Sequence, residues 1–131
     1  MVVDSSALVA IFLREAERSI FEDLILGAPV VVMSAVALLE THVALTSKRR
    51  DFEGSHLDDV LIPLRAEVRP FDLRQAKLAR EAFTRYGRGR HAAGLNFGDC
   101  CTYALAKARN DVLLFKGEDF SKTDIVPAWR P

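Results

Sequence analysis

The chain has 131 residues, half of them apolar and 27% charged, which is the balance expected of one globular domain over residues 1–131. Its 18 Lys and Arg residues equal its 18 Asp and Glu residues, so no overall basic excess indicates nucleic-acid binding, and such a role would need a local patch. The longest apolar runs are too short to cross a bilayer, and Asp4 interrupts the N-terminus before a signal peptide could form.

The N-terminal part is predicted to alternate between strands and helices. "MVVD" is typical of a short buried strand that ends on an acid, and "SSALVAIFLREAERSIFEDLILG" predicts a helix broken near Arg14 that stops at Gly27. "PVVVMS" is apolar on both faces, as the interior of a parallel sheet requires. Ser34 is then the predicted N-cap of the helix "AVALLETHVALTSK".

The middle of the chain gives weaker signals. "SHLDDVLIPLRA" predicts a helical stretch disturbed by Pro63, and "VRPF" predicts a weak strand. Asp72 is predicted to start the helix "LRQAKLAREAFTRYG". An inward-facing stripe on this helix is predicted to consist of Leu73, Ala76, Phe83 and Tyr86.

The C-terminal part begins with a basic, glycine-rich loop, "GRGRHAAG", which leads into "GLNFGDCCTYALAKA". The second of these predicts a helix N-capped by Asn96. Cys100 and Cys101 point in different directions from such a helix, so we expect no disulfide and a reducing, cytoplasmic setting. "DVLLFKGEDFSKTD" predicts a buried strand and an acidic loop, and "IVPAWR" a short edge strand.

This alternation predicts an α/β fold with a central, mainly parallel sheet. In such sheets, binding sites lie beyond the carboxyl ends of the strands. Asp4 is at the carboxyl end of the first strand, and the loop with Glu118 and Asp119 follows the last long strand. The sequence therefore predicts acids on one rim of the sheet.

Glu40 is a carboxylate on a helix face that is otherwise apolar. Val36, Val43 and Ala44 share its face, so Glu40 is predicted to lie on or beside the apolar stripe. A buried, ionised carboxylate is costly without a compensating partner. No lysine lies at helical spacing from Glu40 and His42 points elsewhere, which leaves two alternatives: a salt bridge from another element, or a bound cation.

Asp99, in the first turn of its predicted helix, has two possible roles. As a capping residue it would favour the positive end of the helix dipole, three residues after Asn96. As a ligand it would join the other acids, whose mutual repulsion a divalent metal would neutralise. Mg²⁺ suits such a site, whereas zinc does not, because His42, His56 and His91 are scattered. Both roles are predicted for Asp99.

Four stretches together, "VVDSSALVAIF", "ALLETHVAL", "RYGRGRHAAGLNFGDC" and "LLFKGEDFSKTDI", resemble a PIN domain and, more narrowly, the VapC toxins of bacterial toxin–antitoxin pairs. The resemblance runs from the first strand to the last, although residues 50–80 match only in helical pattern. It implies a three-layer PIN-like α/β fold and a Mg²⁺- or Mn²⁺-dependent endoribonuclease. It also implies a homodimer that a cognate VapB-type antitoxin inhibits.

The same resemblance implies which residues do the chemistry. The acid set of the family carries over onto Asp4, Glu40, Asp99 and Asp119, as catalytic residues and metal ligands. Ser6 matches the hydroxyl residue that usually follows the first acid by two. The chain departs from the family pattern at Ala92 and Ala93, one of which is usually proline.

Other polar residues near these motifs have weaker signals. Glu118 is an alternative ligand to Asp119, and Asp124 is predicted to organise its own turn. Ser5 and Ser6 could cap the first helix or bind a metal-bound water. The concentrated basic stretch is either a solvated loop or a phosphate contact for RNA, and consists of Arg85, Arg88, Arg90 and His91.

The sequence therefore predicts a ribonuclease that cleaves RNA by metal-activated water at the acidic cluster, with Ser6, Arg88, Arg90 and His91 binding the substrate. One alternative is a metal-dependent phosphatase or phosphotransfer domain with Asp4 as phosphoacceptor, although Ser6 stands where a proton-donating acid would be expected. The other is a non-catalytic module whose acids only bind a partner, against which the predicted burial of Glu40 argues.

Overall fold

Four short parallel strands form the centre of the protein, which a computed structural model describes over residues 1–130. The strands lie in the order β3-β2-β1-β4, so that β1 pairs with both β2 and β4. Their bounds are Val2–Val3 for β1, Val31–Ser34 for β2, Ala66–Arg69 for β3 and Leu113–Leu114 for β4. The prediction of a parallel α/β sheet is confirmed.

Helices cover both faces of this sheet. They are α1 (Ser5–Phe12), α2 (Arg18–Gly27), α3 (Ala35–Lys48), α4 (Gly54–Leu61), α5 (Leu73–Tyr86) and α6 (Phe97–Arg109), followed by a 3-10 turn at Phe120–Lys122. Side chains alternate across a strand, so Val3 and Leu114 join the core beneath α1–α4 while Val2 and Leu113 join the core beneath α5 and α6. The three-layer arrangement follows from this alternation.

The predicted helix boundaries are largely confirmed. α1 ends before Arg14, whose positive φ of 56° breaks the path into α2, and α2 ends at Gly27. Ser34, Asp72 and Asn96 each accept a backbone N–H as N-caps, of α3, α5 and α6 respectively. None of the helices described over residues 1–130 has the length and apolar character that a membrane span requires.

Two sequence predictions were wrong in detail. The buried residues of α5 are Gln75, Ala82 and Tyr86, of which Ala82 and Tyr86 share a core with α6, whereas Leu73 and Phe83 of the predicted stripe are exposed. The helical period was right, but the buried face is rotated because α6 covers the neighbouring stripe. The predicted C-terminal strand is a single bridge between Leu113 and Pro127.

Candidate active site

Asp4 stands at the carboxyl end of β1 and caps α1. Its Oδ2 accepts hydrogen bonds from the backbone N–H of Ser6 at 2.9 Å and from the Ser6 hydroxyl at 2.7 Å. Its Oδ1 is buried and has no hydrogen-bond partner among the residues that the structure describes. A buried carboxylate oxygen that lacks a donor is unfavourable, so this atom still needs a donor or a positive countercharge.

Ser6 links two strand ends at this edge. While its hydroxyl proton goes to Asp4, its oxygen accepts the backbone N–H of Lys116 at 3.0 Å, immediately after β4. The Lys116 ammonium in turn bonds Glu15 at 2.8 Å and Glu17 at 2.7 Å, in the segment between α1 and α2. The loops after β1 and β4 are therefore fixed against each other. Because the Ser6 hydroxyl donates its proton to Asp4, it has no proton left for the substrate. The predicted substrate-binding role of Ser6 stays a prediction.

Glu40 is half-buried beside the apolar stripe of α3, which consists of Ala37, Thr41 and Leu45. Val43, expected on the same face, is exposed. The carboxylate of Glu40 accepts a hydrogen bond from the Ser5 hydroxyl at 2.9 Å, and no lysine or arginine forms a salt bridge with it in the described part of the chain. Of the two alternatives for Glu40, the salt bridge is thus excluded for residues 1–130.

The charge on Glu40 is poorly compensated. Burial raises the pKa of its carboxyl above the ordinary value, the hydrogen bond from Ser5 opposes this, and the negative charge of Asp4 raises it further. A second carboxylate is therefore close enough to Glu40 to affect its ionisation.

Asp99 caps α6 reciprocally with Asn96. The Asn96 backbone N–H donates to Asp99 Oδ2 at 2.8 Å, and the Asp99 backbone N–H donates to Asn96 Oδ1 at 2.9 Å. Burial nevertheless raises the pKa of Asp99 from 3.8 to about 6, with further contributions from the charges of Asp4, Glu40 and Asp119. The capping role is confirmed, and the negative charges of the other three acids raise the pKa of the same carboxylate.

Asp119 lies in the loop after β4, and its negative charge contributes to the raised pKa of Asp99. It is exposed and precedes the 3-10 turn, without capping it through its side chain. Glu118, the alternative ligand, accepts a hydrogen bond from the Ser121 hydroxyl at 3.3 Å. Asp124, predicted to organise its own turn, instead binds α6 by accepting the Tyr103 hydroxyl at 2.6 Å.

The donor set fits a hard divalent cation. All four acids offer oxygen ligands, and within residues 1–130 Asp4 Oδ1 lacks a hydrogen-bond donor and Glu40 lacks a basic partner. Burial raises the pKa of Cys100 and Cys101 to about 11, so these thiols are protonated in the metal-free protein. No three Asp, Glu, His or Cys side chains in residues 1–130 are already spaced to hold an ion, so convergence of the four acids on one ion stays a prediction.

The basic loop before α6 is held in shape without the proline that the family pattern contains. A bridge between Gly87 and Leu95 closes it, and the Ala93 backbone N–H donates to His91 Nδ1 at 3.1 Å. The His91 ring packs edge-on against Tyr86, with ring centroids 5.2 Å apart. The loop therefore presents its side chains from a defined backbone.

The basic side chains of this region divide into two groups. Arg85 is used internally, since it donates to the Tyr86 hydroxyl at 2.8 Å and lies 3.7 Å from Asp124. Arg90 lies over the Phe83 ring at 5.5 Å from its centroid, and Arg88 is exposed. Arg88 and Arg90 are thus available to a phosphate, and their contact with RNA stays a prediction.

Sequence reasoning missed one contributor to this site. Gly98, in the first turn of α6, lies directly against the Glu40 carboxylate, because a Cβ on Gly98 would clash with both carboxylate oxygens. The signal in the sequence was a glycine inside a helix, which costs stability and therefore indicates a close approach.

Comparison with known proteins shows the family of the chain. The family model described as "PIN domain" matches residues 1–126. A protein named Ribonuclease VapC from Mycolicibacterium smegmatis is 45% identical over 125 residues, which are 95% of this chain and 97% of that protein.

Two solved structures share the fold. Mycobacterium tuberculosis VapC20, titled a sarcin-ricin loop cleaving toxin, has a TM-score of 0.76 at 22% identity, covering 99% of this chain and 98% of its own. Rickettsia felis VapBC2, bound to a DNA fragment from its promoter, has a TM-score of 0.73 at 18% identity, covering 96% and 95%. By its family model and its relatives, the chain belongs to the PIN domain family and, within it, to the VapC ribonucleases.

Proposed function

We propose that the protein is a divalent-metal-dependent endoribonuclease and the toxin of a VapBC-type pair. The observation that supports the proposal is the buried carboxylate of Asp4 at the carboxyl edge of the sheet, whose Oδ1 has no hydrogen-bond partner within residues 1–130. The reaction class is inferred from the family, whose relatives are named ribonucleases. The preference for Mg²⁺ or Mn²⁺ is inferred from the four acids, whose carboxylates offer oxygen ligands.

Each acid has a defined part in this proposal. Asp4, Glu40, Asp99 and Asp119 would hold the ion, with Ser6 orienting Asp4 and the Asn96 backbone N–H orienting Asp99. When bound, the ion supplies Lewis acidity toward water and toward the scissile phosphate. Arg88, Arg90 and His91 would contact the phosphates on the substrate strand beside this site.

Cleavage of total and structured RNA tests the function directly. We expect the purified protein to cut RNA in Mg²⁺, to lose all cutting in EDTA, and to recover it when Mg²⁺ or Mn²⁺ is added in excess. The reaction is followed by gel electrophoresis with end mapping. Cleavage that persists in EDTA would contradict the metal dependence, and intact RNA under every metal condition would contradict the nuclease.

Loss of a phosphate contact has a distinct signature. Arg88→Ala is expected to weaken RNA binding several-fold and to reduce the slope of log Kd against log salt by about 0.7, because one fewer counterion is released from a single strand. Affinity for Mn²⁺ should be unchanged. Arg50→Ala is the matched control, since Arg50 is exposed just beyond α3. An equal change in both variants would remove Arg88 from the interface.

We also propose that the protein forms a homodimer through the groove between α5 and α6. Apolar side chains line this groove, among them Phe71, Phe83, Phe97 and Cys100. Phe97 is 74% exposed although it is a large aromatic side chain at the first position of α6. A soluble monomer seldom leaves such a groove open to water, and a second copy would cover it.

An antitoxin is the proposed inhibitor. Support comes from the relatives named VapC and from the fold shared with Rickettsia felis VapBC2. An RNA substrate and two free, buried thiols fit action in the cytoplasm. Expression of the chain should arrest growth and co-expression of its antitoxin should relieve the arrest; equal growth in the two cultures would contradict the pairing.

A further inference from the structure

The carboxylate of Glu40 lies between two residues that are distant from it in sequence. The Ser5 hydroxyl, 35 residues earlier, donates to Glu40 Oε2 at 2.9 Å. The α-carbon of Gly98, in the first turn of α6, lies so close that a Cβ there would clash with both Glu40 oxygens. Three elements, α1, α3 and α6, therefore meet at this carboxylate.

Neither contact is explained by local structure. The N-cap of α1 is Asp4, so the Ser5 hydroxyl is not used in capping and crosses to another helix. Ser5 is buried, and within residues 1–130 its hydroxyl forms one hydrogen bond, to Glu40, which fixes the direction of the hydroxyl. Gly98 has an ordinary helical backbone rather than a positive φ, so the chain does not need glycine there for its conformation. What glycine provides at this position is room for the carboxylate.

We propose that Ser5 and Gly98 are positioning residues for Glu40, which hold its carboxylate in the place from which it binds the divalent ion. The inference rests on the metal site of the proposed function. Ser5 fixes the carboxylate by donating a hydrogen bond, and Gly98 allows it to lie against the first turn of α6. Without either feature, the flexible side chain of Glu40 would leave this position.

The two residues are tested by separate pairs of variants. Ser5→Ala removes the hydroxyl and Ser5→Thr retains it, while Ser47→Ala is a control because Ser47 is exposed on α3 and bonds only its own helix. Gly98→Ala places a methyl group against Glu40. Its matched control is Gly54→Ala, at the first position of α4, where the nearest atom to a new Cβ is 3.9 Å away.

Mn²⁺ affinity by calorimetry, melting temperature in EDTA and RNA cleavage are measured for all five variants. We expect Ser5→Ala to bind Mn²⁺ about 10-fold more weakly, as for other supporting hydrogen bonds of metal ligands, and Ser5→Thr to restore affinity to within about 3-fold of the parent. Gly98→Ala should lose at least as much affinity, with a melting temperature equal to the parent's or a few degrees higher, because the clash is relieved by a flexible side chain and alanine favours the helix.

Several results would overturn the proposal. The first is that Ser5→Ala or Gly98→Ala binds Mn²⁺ as tightly as the parent. The second is that Ser5→Ala and Ser5→Thr lose the same amount of Mn²⁺ affinity. The third is that Ser5→Ala or Gly98→Ala loses no more Mn²⁺ affinity than its control, Ser47→Ala or Gly54→Ala. Failure of the proposed function is seen separately, in the parent alone. If the parent binds Mn²⁺ and Ser5→Ala weakens that binding as expected, but the parent cuts no RNA, the positioning roles stand and the nuclease is contradicted.

Discussion

Asp99→Asn is expected to lose at least about 100-fold of the RNA cleavage rate while the metal-free protein becomes more stable. Loss of rate follows because one of four charged ligands is replaced by a neutral amide, which weakens Mg²⁺ binding and transition-state stabilisation. The helix cap should survive, since the Oδ1 of an asparagine can still accept the Asn96 backbone N–H.

The gain in stability follows from the sign of the pKa shift. The pKa of Asp99 rises from 3.8 to about 6 on folding, so the folded state binds this proton more tightly than the unfolded state does. The ionised carboxylate therefore destabilises the metal-free fold above pH 6, and this cost disappears as the pH falls toward 3.8. The shift corresponds to at most about 3 kcal/mol, which solvent screening of a half-buried group reduces to about 1 kcal/mol.

Melting temperatures in EDTA at pH 8 and pH 4, with cleavage at limiting Mg²⁺, check both parts of this prediction. The gain of Asp99→Asn should be a few degrees at pH 8 and should shrink at pH 4. Asp72→Asn is the matched control, because Asp72 also accepts a backbone N–H at a helix N-terminus but lies outside the acid cluster. Full cleavage by Asp99→Asn at limiting Mg²⁺ would contradict its role as a ligand.

Features set by neighbouring residues were predictable from the sequence. The N-caps Ser34, Asp72 and Asn96 each bond a backbone N–H two or three residues ahead, so the residue type and its place before an apolar helix were sufficient. Asp4 was placed on the rim because a parallel sheet brings the carboxyl ends of its strands together. These are local rules or consequences of a simple topology.

Features set by contacts between distant elements were not predictable. The pattern of α5 gave the correct period, but which stripe α6 would cover depends on how the two helices pack, so Leu73 and Phe83 were misplaced. The bond from Ser5 to Glu40 joins two helices that α2 and β2 separate in the sequence, and the approach of Gly98 to Glu40 depends on the path of α6. A single sequence does not show which residues from distant elements will come into contact.

Phe97→Ala is expected to weaken the proposed homodimer by about 30-fold or more, with little change in the stability of the monomer. An aromatic side chain buried at the centre of an interface contributes about 2 kcal/mol or more to association, and 2 kcal/mol corresponds to about a 30-fold change in Kd. In the isolated chain Phe97 is 74% exposed, so its truncation removes few contacts from the folded monomer.

Ile62→Ala is the matched control for this prediction. Ile62 is also 74% exposed, but it follows α4 and does not line the groove between α5 and α6. Sedimentation equilibrium from nanomolar to micromolar protein gives the dimer Kd of each variant, and thermal unfolding in EDTA gives their stability. The groove is the interface if Phe97→Ala dissociates at concentrations where the parent and Ile62→Ala remain dimeric. A parent that is monomeric at micromolar concentration would contradict the dimer, and equal Kd values for all three proteins would place the interface on another surface.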